Sequence, residues 1–139
     1  MELRDSRVSI RPADAGEEAE VHRRLRGYNA PFWPRDMERL SFAAVEEDGA
    51  LVGGVVAALV RDTVELEFLH VDEARRGQGI GSLLMGAVEC RARELGAAKL
   101  LLNTYGFQAP GFYGRLGFDE VACVPEVMGT DWHIFVKAL

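Results

Sequence analysis

The chain has 139 residues, 48% of them hydrophobic and 27% charged, a composition that suits one soluble domain on one core. A formal net charge of −6 argues against a basic nucleic-acid-binding face, and no apolar run approaches the roughly 20 residues of a membrane span. The start, Met1-Glu2-Leu3-Arg4-Asp5, lacks the apolar stretch of a secretory signal, so the expected setting is the cytoplasm, without nucleic acid or membrane as partner.

In chain order, Arg7-Val8-Ser9-Ile10-Arg11 alternates and predicts a first strand, which Pro12 ends. Asp14 then fits an N-cap, with Glu17, Glu18 and Glu20 suited to a helix start and Arg23, Arg24 and Arg26 to its end. The stretch 27–36 holds two prolines and the aromatics Tyr28, Phe32 and Trp33, and reads as a structured loop or a short second helix. Leu40–Glu46, Leu51–Val60 and Val64–Val71 read as three successive antiparallel strands, the first two joined by the hairpin signal Asp48-Gly49. Gly53 and Gly54 inside the second suggest a bulge or the close approach of another backbone.

Next comes Arg75-Arg76-Gly77-Gln78-Gly79-Ile80-Gly81, a glycine-rich turn between the Val64–Val71 strand and a helix over Ser82–Leu95. The first N–H groups of a helix lack intrahelical partners and lie at the positive end of its dipole. Glycines keep side chains away from those donors, and the arginines add charge, so the turn is a candidate anion cradle. It matches neither the Walker loop nor the dinucleotide Gly-x-Gly-x-x-Gly pattern.

After Gly96, the apolar run Lys99–Thr104 reads as a buried strand, parallel to Val64–Val71 through the helical crossover. Gln108–Leu116 reads as a short helix stopped by Gly117, with Pro110 in its first turn. Phe118–Val124 and Trp132–Val136 form a closing strand pair with a connection over Pro125–Asp131. Cys90 and Cys123 are expected as small buried thiols, and no His/Cys cluster has a metal-ligand spacing, so no metal is expected.

Two blocks, Arg76-x-x-Gly79-x-Gly81 and Gly111-Phe112-Tyr113-Gly114-Arg115-Leu116-Gly117-Phe118, resemble in order and spacing the two signatures of the Gcn5-related N-acetyltransferase (GNAT) superfamily. The order of elements resembles that family over essentially the whole chain, 1–139, taken as one acetyltransferase domain of an uncharacterised bacterial type. The resemblance implies an α/β chain of the mixed α+β kind: a mostly antiparallel central sheet, splayed between its fourth and fifth strands and flanked by helices.

The resemblance also implies the chemistry, a direct transfer of acetyl from acetyl-CoA to a primary amine of a small molecule or peptide. Arg76, Gly77, Gln78, Gly79, Ile80, Gly81 and Ser82 would grip the pyrophosphate. The strand end Leu69-His70-Val71 would hydrogen-bond the pantetheine arm, and Asn103 and Gln108 would add cofactor contacts, Gln108 standing where relatives carry an Asn. Tyr113 matches the general acid that protonates the leaving thiolate, unless it merely packs. Glu65 and Glu67, on one strand face, are candidate bases or simply a solvated face. Tyr28, Phe32 and Trp33 are candidates for acceptor contact or for capping the core. The rival readings are acylation of a hydroxyl, another acyl-CoA, and a non-catalytic CoA-binding sensor; a homodimer is allowed.

Overall fold

A computed structural model describes residues 7–33 and 37–139. The chain divides into two compact units at residues 35 and 36. The N-terminal unit contains one helix, α1 (Ala15–Asn29). Asp14 accepts from the Glu17 N–H while the Glu17 side chain accepts from the Asp14 N–H, a reciprocal capping box that sets the helix start. Arg23 and Arg24 both bond Glu20 and hold its carboxyl down to about 2. Residues 8–14 carry no regular structure, so the strand anticipated at Arg7–Arg11 does not form. Alternation sorts side chains, but a strand also needs a neighbour to satisfy its backbone, and this unit has no other strand among its described residues.

The second unit is a seven-stranded mixed sheet in the order β1-β3-β4-β5-β7-β6, with β2 also paired to β3. Its strands are β1 (Glu38–Arg39), β2 (Phe42–Val45), β3 (Leu51–Val60), β4 (Thr63–Val71), β5 (Lys99–Tyr105), β6 (Asp119–Val127) and β7 (Thr130–Ala138). Two helices join them: α2 (Ile80–Glu94) between β4 and β5, and the short α3 (Gly111–Arg115) before β6. All neighbours are antiparallel except β4 and β5, the one parallel pair. The closing pair is longer than its sequence suggested. Met128 and Gly129 both take positive φ, 51° and 81°, a tight hairpin turn where the sequence indicated a longer connection.

Leu84, Met85, Val88 and Ala92 of α2 pack on Val55, Ala57, Val64, Leu66, Leu100, Leu102 and Phe135, which forms the core. Phe112, Tyr113 and Leu116 of α3 extend it. On the same side, the half-buried Lys137 donates to Glu89 of α2 and to the Leu116 carbonyl, both at 2.8 Å, and ties helix, helix and sheet together. Both cysteines are exposed and free rather than buried: Cys90 lies on the outer side of α2, and Cys123 on the sheet's edge strand.

Gly53 marks the close approach that its sequence position suggested. It faces Val71, and a Cβ there would stand 2.8 Å from the His70 carbonyl oxygen and 3.2 Å from the Val71 Cα. Both are backbone atoms of a central strand, which cannot yield cheaply. Gly53→Ala is therefore expected to cost about 1–3 kcal/mol, read as a lower urea midpoint; an unchanged midpoint would show that β3 and β4 can part there freely.

Candidate active site

β4 and β5 run side by side only briefly. They pair at Thr63–Lys99, Val64–Leu100 and Glu65–Leu101, and then part. Beyond the fork, β4 remains paired to β3 as far as Val71, and β5 remains paired to β7 as far as Tyr105. The β5-facing backbone of Leu66–Val71 is thus released from the ladder, as the splayed sheet requires. A bulge helps to part the strands: Val56 faces Phe68 and Ala57 faces Leu66, leaving Glu67 as the extra residue. The bulge breaks the alternation, so Glu67 and Phe68 are both exposed, and Leu69 returns to the inner side.

At the mouth of the fork β4 turns, through a short 3₁₀ turn at Glu73–Arg75, into the glycine loop. Gly77 and Gly79 take φ of 77° and 84°, and a Cβ at either would meet nothing within 4 Å, so their backbone faces open space. The Leu83 N–H bonds the Gly79 carbonyl and begins α2. The N–H groups of Gly79, Ile80, Gly81 and Ser82 have no acceptor among the described residues, for α2 has no side-chain cap and no acidic residue in its first turn. The start of α1, closed by its own carboxylates, is built the opposite way. Four free donors at a positive helix end can receive an anion of phosphate type.

The two arginines are placed differently. Arg76 Nε donates to the Val71 carbonyl at 3.0 Å and so braces the loop against the end of β4. Arg75 is ion-paired with Glu46 at 3.5 Å. Gly81 has another role. A Cβ there would come within 3.3 Å of the Phe112 ring, so its absence lets α3 close against the start of α2.

Phe112 leads to Tyr113. The two rings meet edge-on at 5.2 Å, and Tyr113 also packs against Phe118 at 5.9 Å and Phe135 at 5.7 Å. Burial pushes its phenol above the ordinary value of 10.0, so it holds its proton throughout the neutral range. No protein group among the described residues bonds the phenol oxygen. The structure thus links loop and tyrosine through one aromatic contact.

Of the two carboxylates, Glu65 occupies the last paired position before the fork, exposed and without an ion-pair partner among the described residues. Glu67 is tied to Arg39 at 3.6 Å. Leu69 and Val71 are half-buried at the end of β4; His70 points outward, with Nε2 3.2 Å from Asp72. Asn103 is exposed on β5 just beyond the fork. Gln108 uses its amide oxygen to close a turn, accepting from the Tyr105 N–H at 2.9 Å and Thr104 Oγ1 at 3.2 Å. Tyr28, Phe32 and Trp33 belong to the N-terminal unit, where they are exposed and Tyr28 packs on Phe32 at 5.9 Å.

One cluster escaped the sequence. Glu120, Cys123 and His133 bring potential ligand atoms within 4.8 Å of one another, although their spacing along the chain resembles no metal motif. The signal was cross-strand: Cys123 and His133 face each other in the β6–β7 register.

The site thus joins a mixed sheet with a parted parallel pair, a capless helix start at its mouth and, through Phe112, a protonated tyrosine. The chain belongs to the GNAT acetyltransferase family, whose model matches residues 6–118, and it is an N-acetyltransferase. Among curated proteins it is 38% identical to the blasticidin-S acetyltransferase of Streptomyces morookaense over 76% of this chain and 79% of that one. A solved acetyltransferase from Bacillus cereus ATCC 14579 is 30% identical, with a TM-score of 0.81 over 96% of this chain and 99% of that one. A Bacillus anthracis structure solved with acetyl coenzyme A shares the fold at 17% identity, with a TM-score of 0.65 over 78% of this chain and 67% of that one.

Gly79→Val would force a branched residue into the left-handed region, at roughly 1–2 kcal/mol, and place methyl groups beside the free donors. Coenzyme A affinity, measured by calorimetry, is expected to fall at least tenfold. Gly86→Ala, at an exposed and open position further along α2, is expected to leave it unchanged. Equal affinities in the two variants would detach the loop from ligand binding.

Proposed function

We propose that this chain moves an acetyl group from acetyl-CoA directly to a primary amine of a small molecule. The observation that carries the reading is the set of unaccepted N–H groups from Gly79 to Ser82, opening beside the fork and joined to Tyr113 through the Phe112 ring. These donors fit a diphosphate in number, sign and access. Arg76 braces the loop that presents them, and Gly77, Gln78 and Gly81 shape it. The released backbone of Leu69, His70 and Val71 suits an extended, amide-bearing arm added as a strand, with Asn103 across the fork. Gln108 acts there through the turn it closes.

Bound acetyl-CoA supplies an acetyl group activated as a thioester. The protein's first contribution is to hold donor and acceptor together at the fork, which converts a bimolecular encounter into an oriented one. A backbone N–H near Leu69 would stabilise the negative charge that develops on the carbonyl oxygen. Glu65, at the fork and free of an ion-pair partner, would take the proton of the incoming ammonium, directly or through water. Glu67, held by Arg39, is the lesser candidate and contributes negative charge beside it. Tyr113 would give its proton to the departing thiolate, a transfer its raised phenol value still allows because alkyl thiols are themselves weak acids.

A small-molecule acceptor is supported by the blasticidin-S acetyltransferase, which is named for a small molecule. Exposed carboxylates at Glu65 and Glu67 favour a cationic one. Tyr28, Phe32 and Trp33 offer exposed aromatic surface of the kind that contacts acceptors in the resembled family. The family model crosses the division between the two units, which supports reading them as one acetyltransferase domain. No helix among the described residues is long and apolar enough to cross a membrane; a cytoplasmic setting is part of the proposal.

The pH dependence of kcat tests the assignments together. On the alkaline side activity should fall as Tyr113 loses its proton, beyond the ordinary tyrosine value of 10.0. Tyr113→Phe should lower kcat by about 10²–10⁴-fold, abolish the alkaline fall and leave acetyl-CoA affinity intact. Glu65→Gln should leave turnover dependent on amine that has already lost its proton to solvent, so that kcat at neutral pH falls by about 10²–10⁴-fold and recovers as pH rises. Wild-type profiles in both variants would remove these roles, and acetyl-CoA binding without thiol release across a broad amine panel would favour a sensor.

A further inference from the structure

We propose that the β6–β7 hairpin is a zinc site, with Cys123, His133 and Glu120 as its protein ligands. Three features of the fold build it. Cys123 and His133 are register partners on antiparallel strands, so their side chains leave the sheet side by side. Glu120 lies three residues before Cys123, a spacing that would place it on the opposite face of a regular strand. The register slips between Glu120 and Ala122, where Val121 is extra, and this bulge turns Glu120 onto the face of Cys123 and His133. The three potential ligand atoms therefore lie within 4.8 Å of one another.

The cluster is also held in place. The His133 side chain is only 13% exposed, and its ring stacks with Phe135 at 6.1 Å. A ring nitrogen of His133, Nδ1, is in hydrogen-bond contact with the Glu120 carboxylate. Asp131 stands two residues before His133 on β7, a spacing that puts both on one face of the strand. Negative charge thus converges on the pair from both strands, and a cation would relieve it.

The donor set chooses the metal. One sulfur, one nitrogen and one carboxylate oxygen match the ligands zinc takes, whereas magnesium and calcium prefer oxygen alone. Ligand atoms around tetrahedral zinc stand roughly 3–4 Å apart, a modest tightening of the hairpin. On binding, the sulfur–zinc bond forms as the S–H bond breaks and its proton leaves to solvent, with no change of oxidation state. The fourth position falls to water. The site uses none of the residues assigned to acetyl transfer.

The test uses the intact chain. Zinc would be titrated in competition with a chromophoric chelator, and cobalt would be followed by its absorption. One equivalent is expected, and cobalt should show both a thiolate charge-transfer band and the strong visible bands of tetrahedral coordination. Cys123→Ser and His133→Ala should each weaken zinc at least tenfold, and Glu120→Gln less. Cys90→Ser, removing the other exposed thiol, should change nothing. No binding at one equivalent, binding indifferent to Cys123→Ser, or dependence on Cys90 would overturn the site. Should His133→Ala fail to fold, the exposed Cys123→Ser and its cobalt spectrum decide alone.

Discussion

Backbone groups left without protein partners organise this molecule. A peptide N–H shut away from any acceptor is costly, so folds normally pair such groups or cap them. Here the fold leaves them open in two adjoining places: the first turn of α2, and the length of β4 released when β5 turns away at Glu65–Leu101. Exposure to solvent makes both affordable. Their adjacency makes them useful, since a ligand with an anionic head and an amide-bearing arm can satisfy both at once.

The packing explains why these openings persist. β4 is fixed on its other side by β3, with Gly53 letting the backbones approach at His70 and Val71. Arg76 ties the loop to that same strand end. Phe112 closes over Gly81 and carries Tyr113 into a pocket of Phe118 and Phe135, and Lys137 joins α2, the end of α3 and β7 beneath them. The glycine loop and Tyr113 are therefore parts of one packed arrangement. The burial that packs Tyr113 is also what keeps it protonated.

Much of this was legible in the chain because it rests on local signals. Positive-φ glycines, the β-branched run of β3 and the apolar run of β5 announce their conformations directly. So does the helical crossover that makes β4 and β5 parallel. What stayed hidden depends on partners distant in sequence. Arg7–Arg11 has a strand's alternation but finds no strand to pair with in its unit. The β6–β7 turn places Met128, not a turn-favouring residue, at positive φ, so its hairpin carried only half a signal. The spacing of Glu120, Cys123 and His133 conveys nothing until a bulge and a cross-strand register bring them together. Glu65 and Glu67 look equivalent in sequence and differ in the fold, where Glu65 keeps its place in the ladder while Glu67 is the bulge residue and meets Arg39 from β1, on the far side of β3.

A crystal structure of the chain with coenzyme A tests the central claim most directly. The account predicts diphosphate oxygens within hydrogen-bonding distance of the N–H groups of Gly79, Ile80, Gly81 and Ser82, with the pantetheine arm lying in the fork along Leu69–Val71. A diphosphate bound elsewhere, with those N–H groups still facing solvent, would contradict it.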